Sequence, residues 1–255
     1  MSAAGDCPVA APARAHGSGR SLLSLLCGLA TAFAASGASA ATRGYIVTDF
    51  DSVRLEGPIE VTVRTGRGVS ARGEGDADLL DRVQLSVSAR VLTIRLRPSP
   101  YEARRGTASS GPIRLFLSAP SLRRVQLSGA GTLRADGLAR ARSEIVTAGS
   151  GTLEISGIDA DDLSVAQLGA GSITLSGKAK RTALRASGSG VIAAEALRSA
   201  DFDLTLDGSA DVTATAERSA RLIVIGSGSA RIEGPAACTV SRSGNGAVLC
   251  GGKSY

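Results

Sequence analysis

The sequence is poor in the residues that most enzymes use for acid–base chemistry and metal binding. Its 255 residues include one histidine, one methionine and no tryptophan, and aromatic residues make up 3% of the chain. A Ser-His-Asp or Cys-His site needs a histidine, and zinc sites are usually built from His and Cys. Basic residues are dispersed and stacking aromatics are scarce, which argues against nucleic-acid binding. The one histidine, His16, lies near the N-terminus, in a segment that export would remove. We therefore expect no catalytic residues, no cofactor, no metal site and no nucleic-acid partner.

Residues 1–40 have the pattern of a secretory signal peptide. Arg14 and Arg20 precede an apolar run over residues 21–35, and Ala38-Ser39-Ala40 fits the small-x-small cleavage pattern. The run is too short to span about 30 Å of hydrocarbon, so we do not interpret it as a membrane anchor. Cleavage between Ala40 and Ala41 would leave a mature chain of residues 41–255 that lacks the histidine, with no transmembrane span.

Removal of the signal peptide would also reduce the number of cysteines in the mature chain. Cys7 and Cys27 lie in the signal peptide, and Cys238 and Cys250 remain. Two cysteines in an exported chain most simply form a structural disulfide, whereas a redox-active pair is more often Cys-x-x-Cys. We predict a bond between Cys238 and Cys250.

A Gly-small-Gly tripeptide, or a near match, recurs every 18 to 20 residues in the second half of the chain. A period of this length predicts a solenoid, in which each repeat buries its apolar face against its neighbours. Apolar and polar residues alternate around each tripeptide, which indicates β-strands. The repeat glycines are Gly129, Gly131, Gly149, Gly151, Gly169, Gly171, Gly188, Gly190, Gly208, Gly226, Gly228, Gly244 and Gly246.

The predicted fold is all-β, a β-helix or β-solenoid with coils of about 20 residues. It occupies residues 41–255 as one domain, with less regular strands over 45–117 and the glycine repeats over 122–251. Residues 76–82 are predicted to form a helical turn or capping loop, and Ser88-Ala89-Arg90 a turn between strands. Pro98–Gly111 is predicted to be a long loop that bulges from the side.

The glycines share the sequence parity of the apolar residues, so we expect them to point into the core. Either the coil turns a tight corner there, or neighbouring backbones approach too closely for a Cβ. Cys238 and Cys250 lie on the same parity, six residues before and after Gly244. Both are therefore predicted to point into the core of the last coil, where their disulfide would hold the end of the solenoid together.

One acidic cluster inside the repeats is open to two interpretations. Asp159, Asp161 and Asp162 are followed one period later by Lys178, Lys180 and Arg181. Stacking would bring the two groups together as salt bridges between coils, which is the simpler interpretation. The alternative is a polysaccharide lyase or hydrolase, in which the carboxylates bind calcium or transfer protons.

A second pattern is an outward column of hydroxyl residues beside the glycines. Thr132, Thr152, Ser172 and Ser229 share one offset, as in flat ice-binding solenoids, but Val191 and Asp211 interrupt the column.

Three segments carry a resemblance to a known family. DFDSVRLEGPIEVTV, GEGDADLLDRV and SLRRVQLSGAGTL…TAGSGTLEISG resemble the putative auto-transporter adhesin, head GIN domain family of bacterial exported proteins. The resemblance covers residues 45–251 and implies a β-solenoid in the cell envelope with an adhesive or surface-interaction role. The family brings no catalytic residues.

These observations predict an exported, non-catalytic binding or structural module, periplasmic or on the cell surface. Its partner would be an envelope component, namely a polysaccharide, peptidoglycan or a protein. The alternative function is a polysaccharide lyase or hydrolase on a β-helix. The mild basic surplus, +6 at pH 7, suits anionic envelope polymers or lipid headgroups, and equally fits solvated strand faces.

Overall fold

A computed structural model describes residues 41–98, 111–139 and 141–255. These residues form an all-β solenoid of about six turns, which confirms the predicted fold class. The predicted signal peptide and the interior of the predicted loop, residues 99–110, lie outside the described residues.

The described residues contain eighteen strands and one short helix. They are β1 (Ala41–Tyr45), β2 (Ser52–Glu56), β3 (Glu60–Thr65), β4 (Ser70–Gly75), α1 (Ala77–Arg82), β5 (Val83–Ser88), β6 (Val91–Leu96), β7 (Arg114–Ala119), β8 (Arg124–Ser128), β9 (Thr132–Leu138), β10 (Arg142–Gly149), β11 (Thr152–Gly169), β12 (Ser172–Gly188), β13 (Val191–Gly208), β14 (Asp211–Gly226), β15 (Ser229–Glu233), β16 (Ala237–Ser243), β17 (Val248–Cys250) and β18 (Lys253–Ser254).

The coils stack through parallel ladders on two faces that meet at the glycine tripeptides. Face A is formed by the segments that follow each tripeptide: β7, β3, β9, the first parts of β11 to β14, β15 and β17. Face B is formed by the segments that precede it: β6, β2, β8, β10, the last parts of β11 to β14, and β16. Each of the long strands β11 to β14 therefore runs along face A and then along face B.

The core consists of apolar residues stacked at equivalent positions of successive coils. One such column on face A runs Leu153, Ile173, Ile192, Val212 and Ala230, each in register with the next. All five are almost fully buried. The alternation read from the sequence places every second residue inside, because successive side chains of a strand point to opposite faces.

The order of the coils in space differs from their order in the chain. Val53 in β2 lies in register with Leu92 in β6 on one side and Val125 in β8 on the other. In the same way, β3 pairs with both β7 and β9. The first coil of the chain is therefore inserted between the second and the third. The sequence predicts one continuous solenoid but contains no signal for this exchange.

Antiparallel strands and a helix cover the N-terminal end of the solenoid. β5 pairs with β6, while β4 pairs with β7 and with β1. Helix α1 confirms the predicted helical turn: the Asp76 side chain caps it and Leu79 and Leu80 are buried. The predicted turn is also confirmed, since Ala89 and Arg90 have φ of 48° and 64° between β5 and β6. Positive φ at both central residues is the geometry of a tight two-residue hairpin.

A buried carboxylate links this end to the inserted coil. Asp51 accepts a hydrogen bond from Ser52 at 2.8 Å and forms ion pairs with Arg90 at 2.9 Å and Arg123 at 3.1 Å. Burial raises the pKa of Asp51, but the hydrogen bonds from Ser52 and Arg123 and the two positive charges outweigh it and hold the pKa below its ordinary value. The carboxylate therefore stays ionised and holds together segments from three parts of the chain.

The disulfide lies at the opposite end, as predicted. Cys238 and Cys250 are bonded with an S–S distance of 2.00 Å, and join β16 on face B to β17 on face A. Both cysteines occupy inward positions, as predicted: Cys250 is buried, and Cys238 lies in register with the buried Ala220 and packs against the core, half-buried at the end of the stack. The bond therefore joins the two faces across the core of the last coil.

The glycine tripeptides form the corner between faces B and A. In Gly169-Ala170-Gly171, Gly169 is exposed with φ +116° and Gly171 is buried. A Cβ at Gly169 would lie 2.6 Å from the carbonyl oxygen of Gly149, and a Cβ at Gly171 would lie 2.6 Å from that of Gly151. Both a tight corner and a close backbone approach therefore apply: the first glycine turns the chain, and both glycines lie too close to the neighbouring coil for a Cβ.

The expectation that both glycines of each pair point inward is wrong for the first one. Each first glycine is exposed or half-exposed, because its positive φ takes the chain around the corner and breaks the alternation. The glycine column also begins earlier than the sequence repeat indicates. Gly57, with φ +108°, occupies the corner in the inserted coil, and its N–H donates to the carbonyl of Ser128.

Candidate functional site

The outward-facing side chains are the candidates for function. Within residues 41–98, 111–139 and 141–255, no cluster of three or more His, Cys, Asp or Glu side chains is arranged to hold a metal ion. In the same ranges, none of the helical structure is long and apolar enough to cross a bilayer.

The acidic cluster is brought against the basic cluster of the next coil. Lys180 Nζ lies 2.7 Å from Asp161, Arg181 lies 2.7 Å from Asp162, and Lys178 Nζ lies 3.7 Å from Asp159. The hydrogen bond to Asp161 raises the pKa of Lys180. Each carboxylate is therefore engaged by a cation, as the salt-bridge interpretation predicts. Calcium binding or proton transfer at this cluster would have to displace these pairs.

The same pairing continues along the stack as a charge ladder formed by Arg142, Asp162, Arg181 and Asp201, each in register with the next. Asp201 accepts hydrogen bonds from Arg218 and from Ser219. These bonds, the one from Arg218 above all, lower the pKa of Asp201 to about 2. The alternation of charge makes the ladder a structural element of the stack.

The hydroxyl column is in register but not continuous. Thr132, Thr152 and Ser172 follow one another on face A, and then Val191 and Asp211 take the same position before Ser229. Val191 is 48% exposed, and Asp211 accepts a hydrogen bond from Ser229 at 2.5 Å. This column is therefore not an unbroken row of hydroxyl groups.

A shallow groove on face B is lined by arginines. Its volume is about 380 Å³, and its lining residues are Arg123, Arg124, Arg142, Ser143, Glu144 and Ser164. Arg123 pairs with Asp51, and Arg124 pairs with Glu144 at 2.8 Å. Most of the positive charge in this groove is therefore neutralised by the protein itself.

A second depression lies on face A, at the N-terminal end of the solenoid. Its volume is about 370 Å³, and it is lined by Arg64, Arg67, Ser70, Arg72, Glu74, Phe116, Leu117 and Ser118. We call it the Phe116 depression. It forms where β4 pairs antiparallel with β7, which places Arg72 directly opposite Phe116. Phe116 is 39% exposed, although Leu115 and Leu117 on either side of it are buried.

The charges in the Phe116 depression are unequal. Arg72 forms an ion pair with Glu74. Arg64 and Arg67 form no ion pair within the part of the chain that the structure describes. The sequence does not predict this site, because its residues come from distant strands. The available signal was Phe116 itself, a large apolar residue at an outward position.

Comparison with known proteins identifies the family. The family model described as "Putative auto-transporter adhesin, head GIN domain" matches residues 49–236. The chain belongs to this family. The resemblance read from its sequence is thereby confirmed, and the match covers most of this head GIN domain chain, from the segment just before β2 to the residue before β16.

Solved structures show the same fold at low sequence identity. A "putative adhesin" from Bacteroides fragilis superposes with a TM-score of 0.73 and 22% identity, over 83% of this chain and 97% of that one. A "putative lipid binding protein" from Parabacteroides distasonis has a TM-score of 0.64 and 18% identity, over 84% and 97%. A "putative adhesin" from Parabacteroides merdae has a TM-score of 0.61 and 18% identity, over 84% and 96%. No curated protein matches the chain significantly.

Proposed function

We propose that this head GIN domain is a non-catalytic binding module of the bacterial envelope, exported by its N-terminal signal peptide and cleaved before Ala41. The observation that carries the proposal is the arrangement of the outward side chains, within a family described as adhesins. Parallel ladders hold these side chains in fixed columns on two faces, so that a ligand meets a preorganised surface. Preorganisation lowers the entropic cost of binding.

The disulfide supports export. Disulfides persist in oxidising compartments such as the periplasm and the cell exterior, and are rare in the cytosol. The Cys238–Cys250 bond therefore fits a periplasmic or surface location for the mature chain.

The ion pairs of the acidic cluster favour binding over catalysis. A lyase or hydrolase needs a carboxylate that can bind calcium or exchange a proton with substrate. Asp161 and Asp162 are instead held at 2.7 Å by Lys180 and Arg181. If the cluster used calcium for catalysis, calorimetry would show calcium binding to the wild-type protein and not to Asp161→Asn.

The test is capture from fractionated envelope with the mature chain, residues 41–255, immobilised. The fractions are polysaccharide, peptidoglycan, outer-membrane lipid and envelope protein; lipid is included because one structural neighbour is described as a lipid-binding protein. A variant with residues 99–110 replaced by a short Gly/Ser linker tests the predicted loop as a contact. Retention of one fraction supports the proposal. Retention of none, together with release of shortened sugar chains from a polymer, would favour the enzyme alternative.

A further inference from the structure

We propose that the Phe116 depression binds an acidic sugar unit, with its carboxylate or phosphate on Arg64 and Arg67 and its apolar ring face on Phe116. This inference rests on the proposed function and deepens it, because it names the class of ligand and the place on the solenoid where it binds.

The first argument is the unmatched positive charge. Three guanidinium groups line the depression, those of Arg64, Arg67 and Arg72, and Glu74 pairs with only the last of them. Guanidinium groups recognise carboxylate and phosphate through paired, charge-assisted hydrogen bonds. Among the described residues no carboxylate pairs with Arg64 or Arg67, so the depression offers two anchors of this kind beside a third that Glu74 already orients.

The second argument is the aromatic ring beside these charges. Phe116 points outward from β7 and keeps 39% of its surface exposed, between two buried leucines. A flat apolar ring next to cationic groups suits a ligand with one apolar face and an anionic substituent, as a sugar acid or sugar phosphate has. The volume of about 370 Å³ is within the range of small-molecule sites.

The third argument is that the charges on the neighbouring strands are paired. On the strands beside the depression, Arg114 pairs with Glu60 at 3.2 Å and Arg134 pairs with Glu154 at 3.0 Å. An anionic membrane is recognised by an extended cluster of basic residues, and a paired surface of this kind does not supply one. A discrete anionic group on a sugar fits two unpaired arginines better than a lipid surface does.

Two serines that line the depression, Ser70 and Ser118, form hydrogen bonds within the protein. Ser70 and Ser118 hydrogen-bond to each other at 2.7 Å, and the Ser118 hydroxyl also donates to the carbonyl of Gly68 at 2.5 Å. This network ties β7 to the turn that carries Arg67 and to the start of β4. The segments that carry Arg64, Arg67 and Phe116 are therefore held together by hydrogen bonds beneath the depression.

The experiment is isothermal titration calorimetry on the mature chain. The probes are a short oligogalacturonate, glucose 6-phosphate, inorganic phosphate, a neutral oligosaccharide of matched length and phosphatidylglycerol vesicles. We expect binding of the acidic sugars, no binding of the neutral one, and weakening by added salt. Arg64→Gln and Arg67→Gln should each weaken acidic-sugar binding about tenfold, since each removes a charge-assisted contact.

Two further variants separate the roles of charge and ring. Phe116→Leu should weaken binding of the acidic sugars without changing that of inorganic phosphate. Arg231→Gln is the matched control, because Arg231 is an exposed arginine at the far end of the same face. It removes the same charge and should leave binding unchanged. Equal melting temperatures for all variants would show that the fold is intact.

Three outcomes would overturn the inference. Absence of binding to either acidic sugar at millimolar concentration would exclude the ligand class, and envelope capture could still succeed and support the proposed function. Undiminished binding in both Arg64→Gln and Arg67→Gln would exclude the site. Binding of phosphatidylglycerol vesicles but of neither sugar would assign the depression to a lipid surface instead.

Discussion

The corner tripeptide Gly169-Ala170-Gly171 allows the two roles of the repeat glycines to be separated by three single substitutions. Gly169 is exposed and adopts φ +116°, Ala170 is exposed at the tip, and Gly171 is buried without a positive φ. Gly169→Ala should therefore destabilise the protein through both backbone strain and steric conflict. Gly171→Ala should do so through steric conflict alone, and Ala170→Ser through neither.

The geometry of the corner sets the magnitudes. A non-glycine residue held at such a positive φ costs about 1–3 kcal/mol. The added Cβ would also lie 2.6 Å from the carbonyl oxygen of Gly149, and relief of such overpacking costs about 1–3 kcal/mol. Gly169→Ala is thus expected to lower the free energy of unfolding by about 2–6 kcal/mol, and Gly171→Ala by about 1–3 kcal/mol.

Thermal unfolding followed by circular dichroism measures the order of these effects. For a domain of this size each kcal/mol is worth about 2–4 °C, so Gly169→Ala should melt at least about 4 °C below the wild type. Ala170→Ser is the control and should melt with the wild type, since other tripeptides carry serine there. A Gly169→Ala variant as stable as Ala170→Ser would refute the assignment of strain to this corner.

Three further predictions concern stability. Cys238→Ala should cost up to about 3 kcal/mol, because it opens the loop closed by the bond to Cys250, and reductant should lower the melting temperature of the wild type alone. Thr147→Val should stabilise the protein by about 1 kcal/mol in urea denaturation, because the buried hydroxyl of Thr147 has no hydrogen-bond partner. Asp201 has a folded-state pKa of about 2 against an ordinary value of 3.8, so its ion pair with Arg218 stabilises the protein above pH 3.8 and this stabilisation is lost as the pH falls toward 2. The difference in melting temperature between the wild type and Asp201→Asn should therefore vanish across that window.

Each of these predictions has its own contrary result. Equal sensitivity of wild type and Cys238→Ala to reductant would show that the disulfide does not account for the effect. For the buried hydroxyl, Thr174→Val at an exposed position is the control, and a loss of stability in Thr147→Val alone would mean that the hydroxyl is satisfied. A difference between wild type and Asp201→Asn that persists at the lowest pH would show that the ion pair is not its source.

Much of the fold could be predicted because the repeat and the alternation are local signals. Leu153 and Ile173 are buried in register, as their parity and spacing predict. The salt bridge between Asp161 and Lys180 follows from the same spacing. Both predictions need only that successive coils stack in register, and the regular spacing of the glycines indicates that they do.

What could not be predicted lies where the repeat does not hold. The insertion of β2 and β3 between later coils depends on which strands pair, and Val53 matches Leu92 and Val125 equally well as an apolar residue. The exposure of Gly169 depends on its φ, which parity does not reveal. The position of Arg72 opposite Phe116 depends on an antiparallel pairing at the end of a parallel solenoid.

The same contrast explains why the strongest candidate site lies at the end of the solenoid. Along the regular coils, each outward position lies directly beside the equivalent position of the next coil, so like charges there would repel one another. The chain instead alternates the sign of charge along one such column, in the order Arg142, Asp162, Arg181 and Asp201. Charges placed in this way neutralise one another and leave little for a ligand. Where β4 turns antiparallel against β7, the columns stop and the pairing rule no longer applies. Arg67 lies in the turn after β3, outside the columns, and Arg64 lies in register with Asp136 without forming an ion pair with it. A surface built largely for stacking can therefore present charge to a partner at this end.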